Sequence, residues 1–203
     1  ADYALFPIPG IAADGSLFAP EHPEPIVPDA ELLSAMAPGA AIVLGLADEG
    51  LRAAAAAHGI ELLEYEHDRE LMLLRAPAIV EGALRIAIEQ TDVTIHASEV
   101  VVVGYGNIGG LLAKTLRAVG AHVTVAARNP VQRADAYAIG ARPLPLERLP
   151  EEAHRFAMVF STVPAPVVGA PVLERLPRGA LVMDLAAPPG GVDLELARTL
   201  GHR

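Results

Sequence analysis

Val100-Val-Val-Val-Gly104-Tyr-Gly-Asn-Ile-Gly109 is the stretch on which the fold turns. Four β-branched residues in a row have the length and stiffness of a strand buried on both faces. The three glycines follow at once, in the spacing G-x-G-x-x-G, and Ile108–Val119 then reads as a helix stopped by Gly120. His122–Ala126 is the next strand. Strand, glycine turn, helix and second strand are the setting in which this spacing binds a dinucleotide. Gly104 permits the tight turn, Gly106 leaves room for a pyrophosphate, and Gly109 lets helix and strand pack closely. Tyr105, Asn107 and Ile108 complete the loop, whose free amides at the helix start favour an anion. The alternative is a tight turn that binds nothing.

Outward from this unit the alternation continues. A helix is predicted near Val131–Ile139, a weak strand at Arg142–Leu144 and a short helix near Leu146–Glu152. Strands at Ala157–Ser161 and Leu181–Leu185 follow, with Leu173 in a short helix between them and a last helix from Leu194. Such alternation implies a parallel sheet covered on both faces. Upstream, Ala41–Leu46, a helix at Glu49–His58 capped by Asp48, and Ile60–Tyr65 form another β-α-β unit. A helix is expected from Pro77, in its first turn, to about Gln90. The first 40 residues carry Pro7, Pro9, Pro20, Pro23, Pro25, Pro28 and Pro38, and little regular structure is expected there beyond a helix near Ala30–Met36. The expected division is an N-terminal lobe with bridging helix at 1–92 and a cofactor domain at 93–203.

Composition narrows the function. The chain has 203 residues, 52% of them hydrophobic, enough for a sizeable core. Its formal net charge is -10, and Lys114 is the one lysine. No basic stripe exists to follow a phosphate backbone, so nucleic acid is not an expected partner. No apolar run is long enough to span a bilayer, so no membrane partner is expected either. With 0 cysteines, disulfides, thiolate metal sites and Cys nucleophiles are excluded, and no close His/carboxylate cluster suggests a metal. The expectation is a cytoplasmic protein.

The choice of dinucleotide rests on the end of the second strand, Val125-Ala-Ala-Arg128-Asn129. A site for NAD usually places Asp or Glu there for the ribose 2′-hydroxyl. Here Arg128 stands where a 2′-phosphate would lie, and Asn129 can donate a further hydrogen bond. NADP is therefore the expected cofactor; a solvated loop arginine is the plain alternative. Ser161-Thr162-Val163-Pro164 ends the fourth strand of this half at the same sheet edge, and Gly190-Gly191 follows the fifth, suggesting close approach of backbone to ligand; ordinary turn chemistry is the alternative for both.

Gly104–Gly109, Val125-Ala-Ala-Arg128, Ser161-Thr-Val-Pro-Ala165 and Asp184-Leu-Ala, with Pro189-Gly-Gly191, together resemble the dipicolinate synthase A-chain family. Pro7-Ile-Pro9, Val80-Glu-Gly82 and Thr91-Asp-Val-Thr-Ile-His96 extend the resemblance upstream, over most of the chain. It implies a Rossmann-type doubly wound parallel sheet in an α/β protein with a smaller, incomplete α/β N-terminal lobe. It further implies NADP-linked oxidation of dihydrodipicolinate to pyridine-2,6-dicarboxylate in the sporulating mother cell. The implied partners are a small dicarboxylate substrate and the flavoprotein-like second subunit of dipicolinate synthase, with a homo-oligomer also allowed. This chain has Ala187-Pro188 where the family tends to carry Ser-Lys before Pro-Gly-Gly, and it looks shorter than the family at both ends.

Aromatisation needs a base and donors for two carboxylates. Glu81 and His96 flank the expected lobe boundary and either can serve; Thr91 caps a turn or donates to substrate. Arg69 and Arg75 are the nearest carboxylate-binding candidates. Each of these also reads as an ordinary helix or packing residue. The competing functions are another NADP-dependent dehydrogenase of shikimate-dehydrogenase-like plan, and a non-catalytic protein that senses NADP(H).

Overall fold

The computed structural model describes all residues except Ala1, Ile8, Pro9, Ala13, Phe18, Pro20, Glu21, Pro188 and Pro189. The expectations placed on Pro9, Pro20, Pro188 and Pro189 thus lie outside the described residues. The chain divides into two compact units, Ala1–Met72 and Leu73–Arg203.

The first unit is a three-stranded parallel sheet in the order β1 (Tyr3–Leu5), β2 (Ala41–Leu44), β3 (Glu61–Glu64). α1 (Ala30–Ser34) and α2 (Glu49–Ala57) are started by Asp29 and Asp48, whose carboxylates accept from the amides of Leu32 and Leu51. Phe6, Leu33, Ile42, Leu44, Leu51, Ala55 and Ile60 form the core. β1 corrects the expectation that the proline-rich start holds only a helix. Three residues have too little pattern to declare a strand, and β2 supplies the pairing, Tyr3 against Ala41.

α3 (Arg69–Gln90) contains Pro77 inside it, so the predicted start at Pro77 is eight residues late. Asp68 caps this earlier turn by accepting from the Leu71 amide. Leu, Met, Glu and Arg at 69–75 favour helix strongly enough to absorb the hydrogen bond that a proline cannot make.

The second unit is a five-stranded, wholly parallel sheet. It contains β4 (Glu99–Val103), β5 (His122–Ala127), β6 (Arg142–Pro145), β7 (Met158–Ser161) and β8 (Leu181–Asp184). Their spatial order is β6-β5-β4-β7-β8. The helices are α4 (Asn107–Ala118), α5 (Pro130–Ala138), α6 (Leu149–Glu152), α7 (Ala170–Leu173) and α8 (Leu194–Thr199). The four valines explain the layering. Val100 and Val102 point into one core with Val80, Ala83, Leu112 and Leu116, while Val101 and Val103 enter the other with Leu149, Phe156, Val168 and Leu173. All four are fully buried. Alternation along one strand therefore feeds both faces of the sheet. The chain leaves β4 first toward β5 and β6, then returns to β7 and β8 on its other side. That reversal opens a crevice at the carboxyl ends of β4 and β7. Among the described residues, no helix is long and apolar enough to cross a membrane.

Candidate functional site

A cleft of about 260 Å³ lies at that crevice. Gly104, Tyr105 and Gly106 line it from the loop after β4, Arg128 and Asn129 from the end of β5, and Thr162, Val163 and Pro164 from the end of β7. Eight sequence-predicted residues thus come together. Asn107, Ile108 and Gly109 do not line it; they form the first turn of α4 behind the loop.

The three glycines answer different needs. Gly104 has φ +94°, and a Cβ there would stand 2.6 Å from Thr162 Oγ1. A Cβ at Gly109 would stand 2.5 Å from the Gly104 carbonyl oxygen. Both are demanded by the chain's own packing. A Cβ at Gly106 would meet nothing within 4 Å. Gly106 is the N-cap of α4 in extended conformation, with no side chain satisfying the helix start. The first amides of α4 therefore face open space beside a missing side chain, a cradle that fits a pyrophosphate.

At the end of β5, Arg128 is exposed and lines the cleft. The Arg133 guanidinium holds the turn beneath it, Nη1 donating to the carbonyls of Ala127 at 2.8 Å and Arg128 at 2.6 Å. Asn129 is the N-cap of α5: its Oδ1 accepts from the Val131 amide, which leaves its side-chain N–H groups as donors. The residues present fit a dinucleotide in this cleft. Thr162 Oγ1 donates to Val103 O at 3.0 Å, so its hydrogen is engaged within the protein.

Four lining residues escaped the sequence reading: Ala126, Ala127, Gln132 and Leu146. Gln132 Nε2 donates to the Tyr105 carbonyl, tying α5 to the glycine loop. Its distance of 27 positions from Tyr105 left no sequence signal. Burial, then the Asp135 carboxylate, raises the Tyr105 phenol, so it stays protonated at neutral pH.

At the end of β8, Asp184 accepts from the amides of Ala186, Gly191 and Val192. A Cβ at Gly191 would lie 2.3 Å from Val163 O and 2.6 Å from Ser161 Oγ. Gly191 thus approaches the protein's own backbone after β7 closely.

Glu81, Thr91 and His96 do not line the cleft. Thr91 Oγ1 lies 2.7 Å from Ala87 O and 3.1 Å from Val93 O and shares its one hydrogen with them, closing the end of α3. His96 is exposed, its ring laid where Gly120 lacks a side chain, and it lines an apolar groove with Ile88, Val93 and Val119. Thr91 and His96 precede β4, whereas the glycine loop follows it. Five strand residues, roughly 16 Å, separate the two edges of a parallel sheet. Arg69 and Arg75 lie on α3, one in each unit.

Known proteins share this arrangement. The family model of the dipicolinate synthase A-chain N-terminal domain matches residues 1–66. That of the D-isomer specific 2-hydroxyacid dehydrogenase NAD binding domain matches residues 78–187. The dipicolinate synthase A-chain of Bacillus subtilis (strain 168) is 28% identical over 200 residues, 98% of this chain and 67% of that protein. The crystal structure of the dipicolinate synthase A-chain from Bacillus halodurans superposes with TM-score 0.84 at 28% identity, covering 100% of this chain and 70% of that one. A transhydrogenase from Sinorhizobium meliloti, 20% identical with TM-score 0.68, covers 82% of this chain and 58% of its own and shares the fold. The chain belongs to the 2-hydroxyacid dehydrogenase NAD-binding family through its second unit, and along its length it is a relative of the dipicolinate synthase A-chain.

Proposed function

We propose that this chain is an NADP-dependent dehydrogenase that oxidises dihydrodipicolinate to dipicolinate, acting with a flavoprotein-like second subunit during sporulation in the cytoplasm. The observation that carries the cofactor reading is Arg128, exposed at the end of β5 where a carboxylate would select NAD. The substrate reading rests on the named relatives. Bound NADP+ would accept a hydride from one ring carbon of the substrate, and a proton would leave the neighbouring atom to a base.

The glycine loop and the α4 amides would hold the pyrophosphate, and Arg128 would pair with the 2′-phosphate. Glu81 is the remaining carboxylate candidate for the base. It lies nine residues before the end of α3, a rise of ~13 Å. Its neighbours Val80 and Ala83 pack in the core with Val100 and Val102 of β4.

Titration of NADP+ and NAD+ tests the cofactor reading. The wild type is expected to prefer NADP+, and Arg128→Ala to lose NADP+ affinity about tenfold or more while NAD+ changes little. Equal NADP+ affinity in the two proteins overturns it. Turnover, followed by NADPH and dipicolinate absorbance with and without the second subunit, tests the reaction. Glu81→Gln is expected to slow it ~100-fold, and His96→Ala to leave it near wild type. Cofactor binding without turnover in either condition would make the chain a sensor of NADP(H) instead.

A further inference from the structure

A second polar cleft, about 230 Å³, opens at the amino edge of the five-stranded sheet, at the opposite end of the strands from the dinucleotide cleft. Its walls come from the starts of β4, β5 and β6 and from the end of α4. Three arginines meet there, Arg117, Arg142 and Arg155, with His122 and Glu99 beside them.

Their hydrogen bonding is incomplete in a specific way. Arg142 donates from Nε to Thr124 Oγ1 and from Nη1 to Glu152, each at 3.1 Å. Its Nη2 is buried and has no partner among the described residues. Arg155 reaches Glu152 at 3.1 Å and Glu99 only at 3.7 Å. Arg117 makes no ion pair or side-chain hydrogen bond among the described residues. Its guanidinium is nevertheless placed: it lies over Gly140, where a Cβ would stand 2.8 Å from Nη2. Three guanidiniums therefore face two carboxylates, one buried donor is orphaned, and one cation is laid into a slot without a partner. A buried orphan donor is destabilising unless something accepts from it. Burial raises the Glu152 carboxyl, but Arg142 and Arg155 outweigh it and hold the group below the ordinary glutamate range, so Glu152 is already committed as an anion.

We propose that this amino-edge cleft is an anion site for a phosphate-sized oxyanion, held by Arg117 and Arg155 with the Arg142 guanidinium behind them. Guanidinium forks suit the several acceptor oxygens of such an ion, and this local excess of cations stands against a protein net charge of -10. The site is independent of the cofactor reading.

Inorganic phosphate is the probe, titrated against sodium chloride of equal ionic strength, with amide and arginine Nε–H resonances followed by NMR. Saturable shifts are expected at Val123, Thr124, Gly140 and Arg142. Arg117→Ala should weaken the midpoint about tenfold, and Glu99→Gln should tighten it by removing a competing negative charge. Both positions are on the surface side of the cleft and leave the core intact. The proposal is overturned if chloride gives the same shifts, if phosphate moves only the Asn107 and Ile108 amides of the dinucleotide cleft, or if a folded Arg117→Ala titrates like wild type.

Discussion

The middle strands of the two sheets, β2 and β4, show how unequal the units are. β2 is Ala41-Ile-Val-Leu44, and it serves a core of seven buried residues under three strands, two of them edges. β4 has the same character but is flanked by β5 and β7, and its alternating valines feed a separate buried cluster on each face. β3, at the edge of the first sheet, reads Glu61-Leu-Leu-Glu64 with no buried residue, whereas β5 buries all but His122. The lesson is that one strand-helix-strand pattern gives very different local stability according to whether its neighbours close both faces. The unit with a buried cluster on each face is the one that carries the dinucleotide cleft.

Three substitutions press on that contrast. Phe160→Ala removes one of the largest fully buried side chains, beneath the cleft between β4 and β8. It should destabilise the second unit by about 3–5 kcal/mol, read by denaturant unfolding and by faster amide exchange in β4 and β7. A loss below about 1 kcal/mol would show that the five-stranded core is looser than its burial implies. Next, Gly109→Ala should destabilise by about 1–3 kcal/mol, since its Cβ would collide with the Gly104 carbonyl. Gly106→Ala should leave the melting temperature unchanged while weakening dinucleotide binding about tenfold or more.

The smallest effect belongs to the first unit. Arg52 pairs with Glu64, which is largely buried and also accepts from the Ala47 amide at 2.8 Å. Burial alone would raise the Glu64 carboxyl, but these donors lower it below its ordinary value. A depressed carboxyl contributes stability that is complete above its unfolded value, ~4.3, and is lost as pH falls through the lower folded value. Arg52→Ala should therefore destabilise by about 1 kcal/mol at pH 7, with the difference from wild type shrinking as pH falls below the ordinary glutamate range. A difference that persists in strong acid would mean that Arg52 acts through packing instead.

Legibility from sequence followed the same contrast. β4, the glycine loop and Arg128 were readable because the decisive residues are contiguous and the burial is on both faces. β1 was not, since Tyr3–Leu5 becomes a strand only through β2. Pro77 misled because its cost is local while the helix-forming run before it is longer. Gln132 and Leu146 reach the cleft from elements that are neighbours in space alone. Thr91 and His96 precede β4 and lie toward its amino edge, whereas the glycine loop follows its carboxyl end.

The three glycines of the loop also make a record of use. Substitution at Gly104 or Gly109 is punished in every molecule that folds, with or without a ligand. Substitution at Gly106 is punished only in a molecule that still binds. In a lineage that stopped using its nucleotide, position 106 would drift while 104 and 109 stayed fixed. A descendant with alanine or larger at 106 and glycine at the other two would be one that had kept the shape and abandoned the trade.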